Sequence, residues 1–311
     1  MGDRPGAECR WRAGVPAVSE AAEFAVGFIG LGNMGAPMAH RLTDWPGGLV
    51  VCDMRPDAVQ PFIDAGAKAA ETPAELAENC RVVSIVVLDD AQVRTVIAGP
   101  DGLLRTAKPG TVLAVHSTIS DRTAAELAAE CATRGVEFVD APISGGAPAA
   151  QRGALAIMVG GSATAFEAVR EPFGRFGSLV IHAGEVGAGT RMKLARNLLH
   201  FVAFTAAAEA QRLAEASGLD LAALGKVVRH SDSHTGGPGA IMLRKTTAPV
   251  EPDDFWFPIL GHVRDLGEKD LSLALDLASR LNIDLPLAQR ALHDLGDGLG
   301  VGPGPLAKEH S

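Results

Sequence analysis

The sequence predicts an α/β fold, with a doubly wound parallel sheet in its N-terminal part and an all-helical C-terminal domain. Short apolar runs alternate with segments of helical spacing between residues 24 and 139, which is typical of a parallel sheet covered by helices. The alternation stops at the glycine-rich segment 184–189, and a long stretch without Pro or Gly follows it, residues 190–217. The two parts therefore differ in architecture, and we predict their boundary near residue 187.

The first two strands are predicted from short apolar runs. Residues 24–29 form the first run, which ends at Gly30, and a helix is predicted over residues 34–42. The second strand is predicted over residues 49–53. The helix predicted after it, over residues 56–65, begins with a proline and is followed by a glycine, an arrangement that favours both helix ends.

The rest of the N-terminal part continues this alternation. Thr72 and Glu75 form a capping box with Pro73 at the first helical position, which predicts a helix start. Further strands are predicted over residues 82–88, 112–115 and 136–139, with helices from about Asp90 and over residues 121–133. Two more apolar runs, residues 155–159 and 179–182, are expected to extend the sheet.

The C-terminal part shows helical spacing without alternating strands. Helices are predicted over residues 190–217, 219–230, 264–280 and 286–295. At the other end, residues 1–23 mix Pro, Gly and both charge signs without an apolar segment, so we interpret them as a disordered extension rather than a signal peptide. The predicted organisation is therefore an extension at 1–23, a sheet domain at 24–187 and a helical domain at 188–311.

Composition narrows the function classes. The net charge of −9 argues against nucleic acid as the main partner, because phosphate binding needs a basic surface. No apolar run approaches the ~20 residues that span a bilayer, so no membrane association is predicted. The four cysteines are scattered without a C-x-x-C pair, which favours a reducing, cytoplasmic location.

A glycine motif lies between the first predicted strand and the first predicted helix: Gly30-Leu31-Gly32-Asn33-Met34-Gly35. In a Rossmann-type sheet, a G-x-G-x-x-G turn binds the pyrophosphate of a dinucleotide on backbone N–H groups. Gly30 would make the tight turn, Gly32 would let the backbone approach the phosphates, and Gly35 would let the helix pack on the strand. The sequence therefore predicts an NAD(P) site here.

Two charged residues bear on the choice between NAD and NADP. Asp53 ends the second predicted strand, where a carboxylate can bond the adenosine ribose hydroxyls and would repel a 2′-phosphate. Arg55 lies two residues further on and could instead pair with that phosphate. We predict NAD, with NADP as the alternative.

A second glycine turn follows the strand predicted over residues 136–139. Ser144, Gly145 and Gly146 combine a hydroxyl with unhindered backbone N–H groups, which suits a small anion such as a carboxylate, although a plain turn would look the same. Lys193 and Asn197 are four residues apart in the long C-terminal helix and so share one face. The sequence thus offers a carboxylate clamp and a candidate base in addition to the dinucleotide turn.

Taken together, these segments resemble the β-hydroxyacid dehydrogenase family, whose type member is 3-hydroxyisobutyrate dehydrogenase. The resemblance rests on GFIGLGNMGAPMA at 27–39, DAPISGGAPAAQRGALAIMVGG at 140–161, GEVGAGTRMKLARN at 184–197 and KDLSLAL at 269–275. It implies hydride transfer between NAD(P) and a short β-hydroxy acid, or the corresponding semialdehyde. It also implies a homodimer or homotetramer built on the helical domains.

The resemblance assigns roles to matching positions. It makes Lys193 the catalytic general acid/base with Asn197 beside it, and Ser144, Gly145 and Gly146 the substrate-carboxylate turn. Thr118 is expected to contact cofactor or substrate. The remaining expected cofactor contacts are Leu31, Asn33, Met34, Leu88 and Lys269.

The chain departs from the family pattern at two cofactor loops. A Pro that often follows the fourth strand is absent from Val87-Leu88-Asp89-Asp90, and the Asp before the family's Ser-Thr motif is replaced by His116. Two alternative functions remain open, an imine reductase-like enzyme and a non-catalytic NAD(P)-binding scaffold. The intact Lys193 argues against both.

Overall fold

The computed structural model describes residues 24–242, 244 and 246–304, so the predicted extension at residues 1–23 lies outside the described residues. Within these limits nine strands form one sheet. The strands are β1 (Ala25–Ile29), β2 (Leu49–Cys52), β3 (Lys68–Ala69), β4 (Cys80–Ile85), β5 (Val112–Val115), β6 (Glu137–Asp140), β7 (Ile143–Ser144), β8 (Leu155–Gly160) and β9 (Gly177–Gly184).

The described part of the chain also contains eleven α-helices. They are α1 (Gly35–His40), α2 (Pro56–Asp64), α3 (Pro73–Ala77), α4 (Asp90–Ala98), α5 (Asp121–Ala132), α6 (Gly146–Gln151), α7 (Ala163–Phe176), α8 (Ala188–Ala216), α9 (Leu221–Thr235), α10 (Trp256–Arg280) and α11 (Pro286–Leu299). None of the helices in the described ranges combines the length and the apolar character needed to cross a membrane.

The sheet has the order β3-β2-β1-β4-β5-β6-β8-β7, with β9 paired to β8. The first six strands in this order, β3-β2-β1-β4-β5-β6, are mutually parallel, whereas β8 runs antiparallel to β6. This confirms the predicted, mostly parallel sheet. Because the carboxyl ends of parallel strands share one edge, the loops after β1, β2, β4, β5 and β6 meet there.

Two separate apolar clusters cover the two faces of this sheet, as a doubly wound fold requires. Phe28 of β1 belongs to one cluster, with Phe173 and Phe176 of α7. The next residue, Ile29, belongs to the other, with Leu127 of α5. The alternation of side chains along β1 therefore anchors helices on both faces.

Several elements differ from the prediction: β3, β7 and α6 were not predicted, and some predicted helices and strands have other bounds. The strand predicted to reach residue 88 ends at Ile85. The Val86 N–H still bonds the Ile29 carbonyl of β1, but the next N–H, that of Val87, bonds Ser117 Oγ instead. Helix α10 begins at Trp256, eight residues before the predicted start at Arg264. Helix α7 was not predicted, and it contains Pro172. Burial of its apolar face keeps it helical despite that proline.

The chain divides into two compact units between Ala195 and Arg196. After α8 begins at Ala188, the described elements are all helical. The second unit has a small core of Val250, Leu260 and Leu299, against which Trp256 and Phe257 pack. The domain assignment 24–187 and 188–311 stays a prediction.

Candidate active site

The glycine turn after β1 has the geometry that a bound pyrophosphate needs. Gly30 has a φ of 89°, and a Cβ added to it would overlap the Val86 carbonyl oxygen. A Cβ added to Gly35 would overlap the Gly30 carbonyl oxygen, so α1 lies directly on the turn. Gly32 is exposed, and a Cβ there would meet no described heavy atom within 4 Å. Packing within the protein thus explains Gly30 and Gly35, whereas no described protein contact requires a glycine at position 32.

Asp53 is bound to this turn. Its Oδ2 accepts a hydrogen bond from the Leu31 N–H (2.6 Å), and its Oδ1 accepts bonds from the Arg55 N–H (2.9 Å) and Nε (3.2 Å). Burial acts to raise the pKa of Asp53, but these bonds outweigh it and hold the pKa below its usual value. The carboxylate is therefore ionised at neutral pH, and Arg55 already has partners in Asp53 and the Leu31 carbonyl (3.2 Å).

The loops after β4 and β5 are tied together at the same edge. Ser117 Oγ accepts a bond from the Val87 N–H (3.0 Å) and donates to the Val87 carbonyl (2.5 Å). Sequence reasoning gave Ser117 no role. On either side of this link, Leu88 is 82% exposed and Thr118 is also exposed, so both side chains are free of the protein core.

His116, the departure from the family pattern, is buried under this edge. Its Nδ1 lies 2.8 Å from the Ala141 carbonyl and its Nε2 lies 3.1 Å from Ser84 Oγ. A carbonyl can only accept, so a neutral ring donates from Nδ1 and accepts the Ser84 hydroxyl at Nε2. Burial lowers the pKa of His116 to about 4, against the effect of the Ala141 bond. His116 thus links β4, β5 and the segment after β6 as a neutral group.

This burial predicts a pH-dependent stability. The folded-state pKa of His116 lies below the ordinary value of 6.5. The neutral ring therefore contributes fully to the free energy of unfolding above pH 6.5, and this contribution is lost as the pH falls toward 4. The loss should reach about 3 kcal/mol. The free energy of unfolding, measured with urea between pH 4.5 and 8, should depend steeply on pH in the wild type and much less in His116→Asn. The exposed His230→Asn should keep the slope, and an equal slope in both variants would contradict this assignment.

The predicted carboxylate clamp follows β6. Ser144 ends β7 and is half-buried, while Gly145 and Gly146 are exposed with φ values of 136° and 71°. Side chains other than glycine rarely adopt such angles. The turn therefore presents a hydroxyl and successive backbone N–H groups with no side chain over them, as an anion site requires.

Lys193 is brought to this clamp. It lies in the second turn of α8 and is half-buried, and its Nζ donates to the Ile143 carbonyl at 2.6 Å. Ile143 immediately precedes Ser144, so the lysine nitrogen lies next to the clamp, although Lys193 and Ile143 are 50 residues apart in the sequence.

Asp140 is a second residue that sequence reasoning left without a role. It is fully buried, and its carboxylate accepts the Gly187 and Thr190 N–H groups, both at 2.6 Å. Burial raises its pKa, and the two N–H bonds act in the opposite direction. The sequence marks Asp140 by its position after a predicted strand and at the start of the family-like segment 140–161.

Two further predicted site residues, Asn197 and Lys269, lie in the second unit. Asn197 is half-buried one turn after Lys193, and its Oδ1 accepts a bond from Arg196 (3.2 Å). Lys269, in α10, pairs with Asp270 at 3.0 Å. The rings of His230 and His234 are in edge-to-face contact on the exposed surface of α9, and in the described ranges no group of three or more His, Cys, Asp or Glu is arranged for a metal ion.

The first unit thus gathers the glycine turn, Asp53, the β4 and β5 loops, the Ser144 clamp and Lys193 along one sheet edge or beside it. A doubly wound sheet with this turn at its edge defines a dinucleotide-binding protein. Sequence comparison agrees with this class. Residues 25–184 match the profile of the NAD binding domain of 6-phosphogluconate dehydrogenase. Residues 187–295 match the profile described as NAD-binding of NADP-dependent 3-hydroxyisobutyrate dehydrogenase.

Individual relatives give the same result. An uncharacterized oxidoreductase of Mycobacterium tuberculosis is 62% identical over 89% of this chain and 93% of its own length. Mitochondrial 3-hydroxyisobutyrate dehydrogenase of Bos taurus is 35% identical over 90% of this chain and 83% of its own. The crystal structure of 3-hydroxyisobutyrate dehydrogenase from Salmonella typhimurium has a TM-score of 0.63 and 31% identity, over 92% of this chain and 99% of that one. The chain belongs to the β-hydroxyacid dehydrogenase family and is an NAD(P)-dependent oxidoreductase.

Proposed function

We propose that the protein transfers a hydride between NAD and a short, 3-hydroxyisobutyrate-like β-hydroxy acid or the corresponding semialdehyde, with Lys193 as general acid/base. The observation that carries this proposal is the 2.6 Å bond between Lys193 Nζ and the Ile143 carbonyl, which puts the amine next to the Ser144 clamp. A substrate held by its carboxylate at the clamp would present its hydroxyl to that amine. Names of relatives that act on 3-hydroxyisobutyrate support the substrate class.

Different residues of the chain bind the substrate carboxylate, transfer the proton and orient the reacting groups. Ser144 Oγ and the N–H groups of Gly145 and Gly146 bind the carboxylate and orient the carbinol carbon. Lys193 Nζ accepts the hydroxyl proton during oxidation and returns it during reduction. Asn197, one turn later, holds the lysine or the hydroxyl in line. The dinucleotide, when bound, supplies the hydride acceptor or donor.

The glycine turn would hold that dinucleotide. The space over Gly32 fits the pyrophosphate, and we place Leu31, Asn33 and Met34 beside it in the same turn. Leu88, Thr118 and Lys269 are further proposed contacts. We infer that Asp53 favours NAD, because an ionised carboxylate directly after β2 would repel a 2′-phosphate there.

Asp53→Asn is expected to raise the ratio of kcat/KM with NADP to kcat/KM with NAD by about 10-fold or more. The substitution removes the negative charge and releases Arg55 from its ion pair. Initial rates with each dinucleotide measure the ratio. Asp64→Asn, at the end of α2, changes the net charge equally and should leave the ratio unaltered. A ratio that does not move in Asp53→Asn would remove Asp53 from cofactor selection.

The proposed reaction is tested by mixing the enzyme with short β-hydroxy acids and NAD or NADP and following reduced-nicotinamide absorbance. 3-Hydroxyisobutyrate is expected to turn over, while its methyl ester, which lacks the carboxylate charge, is expected to react poorly. Semialdehydes with reduced dinucleotide test the reverse direction. Absence of turnover with all of these acids and semialdehydes, in a protein that binds dinucleotide, would overturn the proposal and leave the imine reductase-like and scaffold alternatives.

A homodimer or homotetramer is proposed from the second unit. Large apolar side chains are exposed along α8, including Leu198 (68%), Phe201 (60%) and Phe204 (56%). Exposed apolar patches of this kind typically mark interfaces. Sedimentation is expected to show an oligomer at micromolar concentration that Phe201→Glu dissociates. A monomeric wild-type protein would contradict this expectation.

We also propose a cytoplasmic location. Cys52, Cys80 and Cys131 are buried free thiols, and burial raises their pKa values to about 11, 12 and 12. Such thiols behave as small apolar core groups, and a reducing compartment suits them.

A further inference from the structure

Asp140 fastens one segment of the first unit to another. It ends β6, and both of its carboxylate oxygens accept backbone N–H groups from the start of α8, which lies 47 to 50 residues further along the chain. Gly187 and Thr190 supply these N–H groups. The first N–H groups of a helix have no partner within the helix, so a buried helix start needs acceptors from elsewhere. Asp140 supplies them from the sheet.

The start of α8 packs closely on the backbone of the sheet. Strands β6 and β8 pair only at Asp140 and Gly160, in antiparallel register. A Cβ added to Gly160 would overlap Asp140 Oδ1, and a Cβ added to Gly189 would overlap the Met158 carbonyl oxygen. The first turn of α8 therefore rests directly on the backbone of the sheet at the site of the carboxylate.

The next turn of the same helix carries Lys193. Its Nζ donates to the carbonyl of Ile143, which lies three residues after Asp140. The segment 140–144 thus holds α8 at two successive turns, through a carboxylate at the first and a carbonyl at the second. That segment also ends in Ser144, the first residue of the clamp.

We propose that Asp140 is a positioning residue, which fixes α8 against the clamp segment so that the Lys193 amine stays at one distance from a substrate carboxylate bound at Ser144. The proposal rests on the proposed function. Asp140 touches neither substrate nor dinucleotide in this scheme. Losing it would shift the base relative to the clamp and leave the glycine turn after β1 undisturbed.

The chain contains a matched control. Glu209, also in α8, is buried and accepts the Leu287 N–H (2.9 Å) and the Ala288 N–H (3.0 Å) at the start of α11. It is likewise a buried carboxylate that caps a helix from another element, about four helical turns beyond Lys193, and it differs from Asp140 in also pairing with the exposed Arg212 at 3.7 Å. Asp140→Asn and Glu209→Gln each keep the side-chain size, remove the charge and replace one acceptor with a donor. Both are therefore expected to lower Tm by several degrees.

Only Asp140→Asn should affect the reaction. We expect its kcat to fall by about 10- to 100-fold, since a displacement near 1 Å can cost this much, with the Kd for reduced dinucleotide unchanged. Glu209→Gln should keep wild-type kcat when both are assayed well below their Tm. Hydrogen exchange, which needs no substrate, should be faster over residues 187–193 in Asp140→Asn alone.

The outcomes separate the two proposals. An active wild-type enzyme whose Asp140→Asn variant keeps full kcat, or loses no more than Glu209→Gln, would overturn the positioning role while the proposed function stands. Equal loss of dinucleotide binding and kcat would also overturn it, because it would indicate general disruption. A wild-type enzyme without turnover would instead overturn the proposed function. In that case, an unchanged rate of hydrogen exchange over residues 187–193 in Asp140→Asn would show that Asp140 does not hold the start of α8 in place.

Discussion

Lys193→Ala is expected to lower kcat for oxidation of a short β-hydroxy acid by about 10²-fold or more, because proton transfer then has no positioned acceptor. The dinucleotide should bind as in the wild type, since the glycine turn follows β1 and Asp53 follows β2, whereas Lys193 lies beside the segment after β6. Single-turnover measurements with saturating NAD would isolate the chemical step, and fluorescence titration would give the dinucleotide Kd.

Two controls sharpen this result. Lys108→Ala removes an exposed lysine just before β5, at the opposite edge of the sheet, and should leave kcat unchanged. A small primary amine added to Lys193→Ala should restore part of the rate, because it supplies a proton acceptor to the space left by the side chain. Full activity of Lys193→Ala would remove the lysine from the chemistry, even if the substrate class is correct.

Local patterns explain why much of this site was predictable. A glycine turn between an apolar run and a helix carries its own mechanism, so Gly30, Gly32 and Gly35 could be assigned separately before their surroundings were known. The structure then gave Gly30 and Gly35 a steric reason within the protein and left open space over Gly32. Parallel topology likewise placed Asp53 and the clamp at carboxyl ends of strands, because the direction of each strand follows from the alternation of strands and helices.

What the sequence did not reveal depends on contacts between distant segments. Asp140 was visible at a strand end, but its partners, Gly187 and Thr190, lie on a helix far along the chain. His116 looked like a change in a cofactor loop, whereas its ring packs edge-on against Phe173 and Phe176 of α7, a helix that was not predicted. In both cases burial determines the chemistry of the group, and a local pattern carries no information on burial by a remote element.

Gly32→Ala is expected to weaken dinucleotide binding by about 10-fold or more, which corresponds to about 1.4 kcal/mol. The backbone of Gly32 is not in the left-handed region, and its Cβ would meet no atom of the described residues within 4 Å. Alanine is therefore tolerated by the protein, and Tm should stay the same or rise slightly. The new methyl group would occupy the space into which the pyrophosphate must come. Calorimetric titration with NAD and a thermal melt of the free protein measure the two effects.

Gly35→Ala provides the opposite case and tests the interpretation. Its Cβ would overlap the Gly30 carbonyl oxygen, so that α1 must move off β1 and Tm should fall even without dinucleotide. A ligand-contact role predicts lost binding with an intact Tm at Gly32, and a packing role predicts a lowered Tm at Gly35. If Gly32→Ala bound NAD like the wild type, the pyrophosphate would not cross this turn, and the cofactor would have to be placed elsewhere on the sheet edge.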